Sequence, residues 1–567
     1  MEIDILNRAR RNNKLIIIAG VLLLLALIVA DKPSQEQAEL SSDKKVKRYP
    51  SEYTVDDNYS ELENVALQRN AEEKDSIAEE LVTEDISPPV DPKAISPTST
   101  IEKDAVSASV KTYGFNELVD DVYSFILDES DYSNLAFRWD FGDLFIWEED
   151  KWVKIERDTE GIPSSTERIS EIIYGIGPRI TFKTEGIRTL SIDVLGIPNP
   201  STSIVKTKEI VNSNSGAKYS TLNIISRDQW GASPISWDPN SNRDIDDPAR
   251  FTWMPGYYRA SRFVIHHTAS PINTVDPAQA VRDIYLYHAY SRGWGDIGYN
   301  YIIDQNGNIY EGKAGGDEVY GYHAYTEANT MSIGIALIGD YQFNPPSQAM
   351  KDALVRLLAE KSVFYGMNMR TSTGTLSDWL DTNVNVFGHN ESYFWCTSSH
   401  PLSYLCPSGS KWVVNSTACP GNGIKSILAT EIVPQATNYA RYNFTGIKNA
   451  VLRVNEQLKN APEGVRTFII EYDLPEDTSE EVIRAKLPKF SGIDSYYIKK
   501  NRVVVTLGDW NDGILVPTVG WDGFYPNTFF PSSEGTKDRM RTLMKIFLLD
   551  PEISNVYLQN QYRLSPL

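Results

Sequence analysis

The chain has 567 residues, 41% hydrophobic and 11% aromatic, with twelve Trp, three Cys and a formal net charge of −21. That length exceeds what one hydrophobic core sustains and predicts roughly three or four domains. The aromatic content excludes a wholly disordered chain, the acidity argues against a nucleic-acid partner, and three cysteines are too few for a small disulfide-stapled scaffold.

Leu15–Ala30 is an unbroken apolar run between Lys14 and Asp31. As a helix it spans about 24 Å, short for a bilayer core but workable once flanking side chains snorkel. Arg8, Arg10, Arg11 and Lys14 outnumber Glu2 and Asp4, which keeps the amino end cytoplasmic. A cleaved signal peptide is the alternative, but Ile28 at −3 from Ala30 is large for a cleavage site. Both readings export the remainder of the chain. Residues 31–110 hold 19 acidic against 9 basic side chains, with Pro33, Pro50, Pro88, Pro89, Pro92 and Pro97 scattered through them. Such a segment buries too little apolar surface to offset its ordering entropy, and self-repulsion extends it.

From about Val110 the composition turns β-rich. Leu135–Trp139, Leu144–Trp147, Trp152–Ile155, Ile180–Lys183 and Leu190–Leu195 read as strands between Gly, Pro, Asp and Ser clusters, the pattern of a small β-sandwich.

Phe263–Ile265 is a buried-type strand that runs into His266-His267-Thr268. Asp276-Pro277 opens a helix whose Val281, Ile284, Tyr285 and His288 share one face. Tyr299–Ile303 and Asn308–Glu311 form a hairpin around Asn306-Gly307, and Met331–Ile338 is a further strand. A second helix starts at Ser347 and lines up Met350, Leu354, Leu357 and Leu358 before Gly366. The order predicts an α+β fold, a mixed β-sheet flanked by helices. Residues 445–567 read as another α+β unit, with helices over Val451–Leu458 and Arg539–Leu549 and strands over Thr467–Tyr472 and Val503–Leu507.

Two imidazoles and a thiolate stand out. His266 ends a strand, His389 lies in GHNE (388–391), and Cys419 lies in TACPG (417–421). Three such ligands leave a fourth position open, the arrangement of a catalytic zinc site. Separations of 123 and 30 residues are unlike a compact finger motif. A strand-end His, a turn His and a buried thiol remain the alternative.

Six blocks occur in order: ISRDQWGA (225–232), RFVIHHTAS (262–270), GWGDIGYNYIIDQNGNIYEG (293–312), SIGIALIGDY (332–341), GHNE and TACPG. Together they resemble the peptidoglycan recognition protein family, zinc-dependent N-acetylmuramoyl-L-alanine amidases that include the T7-lysozyme type. The resemblance covers about 210 residues of the 567. It implies that His266, His389 and Cys419 hold Zn2+ and that His267 is a packed neighbour. It implies that Tyr299 assists catalysis, where the residues alone allow a half-buried strand tyrosine, and that the Thr417 hydroxyl hydrogen-bonds the developing oxyanion or the metal-bound water. His323 and Asn329 fall in a block resembling the substrate groove, with core or turn packing as the alternative for each, and Trp294 is expected to pack rather than to form a sugar platform. The implied reaction cleaves the amide between N-acetylmuramic acid and L-alanine, with peptidoglycan as partner. A non-catalytic peptidoglycan-binding module is the alternative, since relatives lacking the cysteine bind wall fragments without cutting them.

The sequence departs from the pattern in places. The insertion between His389 and Cys419 carries Cys396 and Cys406. In an exported protein these two are expected to pair as a disulfide. Cys406-Pro407-Ser408 also resembles a ligand block, which makes Cys406 a rival of Cys419. Lys313 stands where arginine is common, and the stretch from His323 to Ser332 is one residue longer than usual. The expected organisation is a cytoplasmic tail and transmembrane anchor (1–31), an acidic disordered tether (32–110), a β-rich domain (111–218), the amidase domain (219–440) and a C-terminal α+β domain (441–567). The expected location is the cell membrane, single-pass, with the amidase domain extracytoplasmic. No protein partner can be inferred from the sequence.

Overall fold

A computed structural model describes residues 92–104, 108–127, 134–148, 151–158, 168–175, 177–198, 220–232, 237–238, 243–244, 260–271, 276–324, 326–329, 332–396, 411–415, 417–459, 461, 465–487, 493–507, 519–520, 523–524 and 533–558. The expected anchor Leu15–Ala30 lies outside these residues. Among the described residues no helix is long and apolar enough to cross a membrane.

Strands begin at Lys93–Ala94 and Ser99–Asp104, so ordered structure starts earlier than a tether reaching residue 110 allows. Both are edge strands. An edge strand tolerates polar, charged composition, which is why STIEKD reads as linker. Two five-stranded sheets share one core in which Phe115, Phe125, Phe137, Trp139, Leu144 and Phe182 are buried.

The central unit is built on a six-stranded mixed sheet. Its strands are β1 (Ile224–Ile225), β2 (Arg262–His267), β3 (Tyr301–Ile303), β4 (Ile309–Glu311), β5 (Ser332–Leu337) and β6 (Val386–Gly388), in the order β1-β4-β3-β5-β2-β6. Only the β3–β4 hairpin is antiparallel. Helix α1 (Pro277–Leu286) starts where Asp276 Oδ1 accepts from the Ala278 and Gln279 N–H groups, with Pro277 as its first residue. Helix α2 (Gln348–Tyr365) is capped by Ser347 and ended by Gly366 at φ 71°.

The two helices cover opposite faces. Phe263, Ile265, Ile333, Ile335 and Leu337 pack with Met350, Leu354, Leu357 and Leu358 of α2. Ile302, Ala336 and Ile338 pack with Val281, Ile284 and Tyr285 of α1. Alternation along β2 therefore turns the His266 side chain away from the α2 face.

Both flanking units contact the central one through buried ion pairs. Arg292 pairs with Asp158 at 2.9 Å, and the Tyr287 hydroxyl donates to the same carboxylate at 2.6 Å. C-terminal to the sheet come α3 (Val433–Tyr442), α4 (Thr445–Lys459) and α5 (Ser533–Leu549). Helix α5 presents Arg539 to Glu318 at 2.6 Å and Lys545 to the Phe364 carbonyl at 2.6 Å. A four-stranded antiparallel sheet closes this last unit, with Phe468, Ile470, Val503 and Val505 in its core.

Candidate metal centre and its surroundings

Strand register brings the first two ligand candidates together. Parallel pairing of β2 with β6 places Ile265 opposite Gly388, so the next residues, His266 and His389, leave adjacent strands side by side. Their ring centroids are 4.5 Å apart. Both stand at the carboxyl ends of parallel strands, where open α/β sheets place their ligands.

After β6 the chain turns over His389–Glu391, and the Glu391 carboxylate accepts the Gly388 N–H at 2.8 Å. This turn docks on the third block, where the Asn390 N–H donates to the Cys419 carbonyl at 2.9 Å. Gly388 is required here because a Cβ would fall 2.9 Å from Pro420 Cδ. Cys419 Sγ then lies 3.5 Å from His266 Nδ1 and accepts the His267 N–H at 3.3 Å. That N–H favours the thiolate.

His266, His389 and Cys419 are all buried, and their ligand atoms lie within 4.8 Å of one another. The spacing suits zinc. Bonds of about 2.0–2.1 Å to nitrogen and about 2.3 Å to sulfur at tetrahedral angles put N and S about 3.6 Å apart, and the His266–Cys419 pair is 3.5 Å apart. Burial pushes His389 down to about 3 and His266 well below the usual imidazole range. Neutral rings offer the lone pairs a metal needs. The residues present fit the ion.

Tyr299 packs its ring against His266 with centroids 5.2 Å apart, and His288 backs it at 5.5 Å. His288 sits in a π-turn (Tyr287–Ser291) that succeeds α1, and its Nδ1 accepts the Gly298 N–H at 3.1 Å. Thr417 Oγ1 accepts the Cys419 N–H at 3.1 Å. His267 is buried, and its Nδ1 accepts the Tyr341 N–H at 3.1 Å. Trp294 stacks on Tyr322 at 5.4 Å.

His323 and Asn329 are buried behind His266. His323 Nδ1 lies 3.0 Å from His266 Nε2. Asn329 Oδ1 accepts the backbone N–H groups of His323 and Ala324 at 2.9 and 2.7 Å. Sequence reasoning misses Ser332, whose Oγ lies 3.2 Å from His323 Nε2. Its one signal is a hydroxyl opening the otherwise apolar strand SIGIAL. The expected Cys396–Cys406 pairing falls on Cys406 and on a Cys396 side chain outside the described residues. Cys419 is the cysteine grouped with the two histidines.

The N-acetylmuramoyl-L-alanine amidase family profile matches residues 256–422. Peptidoglycan-recognition protein LB of Drosophila melanogaster is 31% identical over 181 residues, which is 31% of this chain and 65% of that protein. Peptidoglycan-recognition protein SC2 of Drosophila simulans is 42% identical over 99 residues, 17% of this chain and 52% of that protein. The chain thus spans under two thirds of the length of these insect relatives. Peptidoglycan recognition protein 1 of Bos taurus is 30% identical over 179 residues, 31% of this chain and 78% of that protein. The structure of wild-type Drosophila PGRP-LB aligns over 37% of this chain and 94% of that one, at 26% identity and a TM-score of 0.25. On its sequence blocks and its relatives, the chain belongs to the peptidoglycan recognition protein family.

Proposed function

We propose that this protein hydrolyses the amide bond between N-acetylmuramic acid and L-alanine in peptidoglycan, with zinc held by His266, His389 and Cys419. The observation that carries the reading is the convergence of two neutral imidazoles and one thiol in a buried group. Three protein ligands are the set that leaves a position for chemistry.

Zinc, when bound, supplies Lewis acidity that polarises an amide carbonyl and brings water into its nucleophilic form near neutral pH. The chain's own residues do the rest. Burial of His266, His389 and Cys419 excludes competing water and strengthens each electrostatic contact. The phenol of Tyr299, on a ring held between His266 and His288, donates to the carbonyl oxygen as it gains charge. Thr417, whose Oγ1 accepts the Cys419 N–H, is assigned a part in stabilising the same oxyanion.

The apolar run Leu15–Ala30 with its cationic flank supports an enzyme held at the cell membrane by a single span, with the site on the extracytoplasmic side. The test is a peptide-release assay on a muramoyl-peptide with zinc-loaded full chain. Peptide release that chelation abolishes and zinc restores is the expected result. Tight muramoyl-peptide binding without release would assign the chain to peptidoglycan binding alone.

A further inference from the structure

A chain of hydrogen bonds runs from a backbone carbonyl to the metal centre, and each member dictates the proton position of the next. It begins at the short helical turn Thr326–Asn329. The Ser332 hydroxyl donates to the Ala328 carbonyl at 2.6 Å. A carbonyl accepts only, so the single hydroxyl proton is committed there. Toward His323 Nε2, 3.2 Å away, Ser332 Oγ can then only accept. Nε2 of His323 therefore carries the proton.

His323 is buried, and a charged imidazole in that position is costly. The neutral ring has one N–H, so Nδ1 presents its lone pair to His266 Nε2 at 3.0 Å. A contact of that length needs one donor, and His266 supplies it from Nε2. The remaining lone pair of His266 is on Nδ1, the atom 3.5 Å from Cys419 Sγ.

The His323 ring is held where this relay needs it. A Cβ at Gly334 would fall 2.3 Å from His323 Cγ, and a Cβ at Gly321 would fall 2.6 Å from Cδ2. Two glycines thus make the slot in which the imidazole lies. Asn329 fixes the backbone beneath it through the His323 and Ala324 N–H groups. These contacts bear on the orientation of His266.

We propose that His323 is a positioning residue: together with Ser332 and the Ala328 carbonyl it fixes the tautomer of His266 and turns the Nδ1 lone pair toward the metal centre. The proposal rests on the zinc-site reading above. It gives His323 a role through His266 and not through contact with substrate. A ligating histidine whose second nitrogen loses its partner binds metal roughly 10–100-fold more weakly.

Two measurements on the full chain test it. The first is zinc affinity by competition with a chromophoric chelator for His323→Asn, His323→Gln and His323→Ala. An asparagine amide oxygen occupies the place of Nδ1 and accepts from His266, whereas glutamine reaches the place of Nε2. The expected result is that Asn stays within a few-fold of the unsubstituted protein while Gln and Ala lose about 10–100-fold. Asn as weak as Ala, or Ala unchanged, overturns the proposal.

The second needs neither substitution nor metal, so it stands even if a variant fails to fold or the zinc reading fails. Two-bond nitrogen–proton correlations on histidine-labelled protein, which has six histidines, report each ring tautomer directly. Nε2–H on both His266 and His323 is expected. Nδ1–H on His266 overturns the relay.

Discussion

His266 and His389 are neighbours because each comes one residue after a pair, Ile265 and Gly388, that parallel strands hold in register. The imidazoles at 4.5 Å are therefore a consequence of sheet pairing. The third block reaches them through Asn390 and Pro420, not through a strand.

Gly388→Ala tests that docking. The new methyl would meet the rigid Pro420 ring at 2.9 Å, separating the His389 turn from the Cys419 block. Overpacking of this kind costs about 1–3 kcal/mol. Zinc affinity is expected to fall at least about tenfold, which is ~1.4 kcal/mol, as read by chelator competition. Unchanged affinity would show that the Gly388–Pro420 contact does not hold the ligands together.

Tyr299→Phe removes one hydroxyl from a ring that stays packed between His266 and His288. Metal content is expected to be unchanged, while kcat falls by about 10²–10³-fold, the usual loss for one oxyanion donor. Parallel zinc determination and peptide-release kinetics check it. An unchanged kcat would remove Tyr299 from the proposed chemistry.

Glu311 is 2% exposed, and burial pushes its carboxyl up to about 7 although Arg227 opposes the shift. Between its unfolded value near 4.3 and about 7 the folded protein binds the extra proton. Stability from this group is therefore full below about pH 4 and is lost as pH rises through 7. Glu311→Gln keeps the shape without the charge. Chemical denaturation should find the variant gaining on the unsubstituted protein from pH 5 to pH 8, by up to ~3 kcal/mol. A constant difference across that range would contradict the assignment.

Arg539 and Glu318 form a buried pair at 2.6 Å, and the Thr542 hydroxyl adds a bond to the same carboxylate at 2.7 Å. Arg539→Ala leaves the Glu318 charge without its cation. The expected loss is about 3–5 kcal/mol in denaturant unfolding. Replacing both members, Arg539→Met with Glu318→Gln, is expected to recover much of it. A loss below about 1 kcal/mol for Arg539→Ala would mean that the pair contributes little to docking the C-terminal unit.

The readable parts of this molecule are the local ones. Asp276-Pro277, Ser347 and Gly366 mark helix ends through bonds within one turn. The strand that carries His266, Arg262–His267, is visible as an apolar run leading into the histidines. The expected strand Tyr299–Ile303 is shorter, Tyr301–Ile303. There the Asn300 side chain, not the backbone, takes the Gly334 N–H, and no periodicity reports such a substitution. The strands Lys93–Ala94 and Ser99–Asp104 lie at sheet edges, so their charged sequence gives no apolar alternation. The ligand set is legible only through the family blocks, since strand register across 123 residues leaves no local trace. The placement of His323 depends on the bare backbone at Gly321 and Gly334, which becomes meaningful once the fold brings the ring over them.

The most direct test of the central claim pairs two readings on one sample: zinc per chain and peptide release from muramoyl-peptide, for the unsubstituted protein and for Cys419→Ala. About one zinc and measurable release are expected for the first, from the three-ligand arithmetic of a catalytic site, and loss of both for the second. Cys419→Ala that kept its zinc and its activity would contradict the assignment.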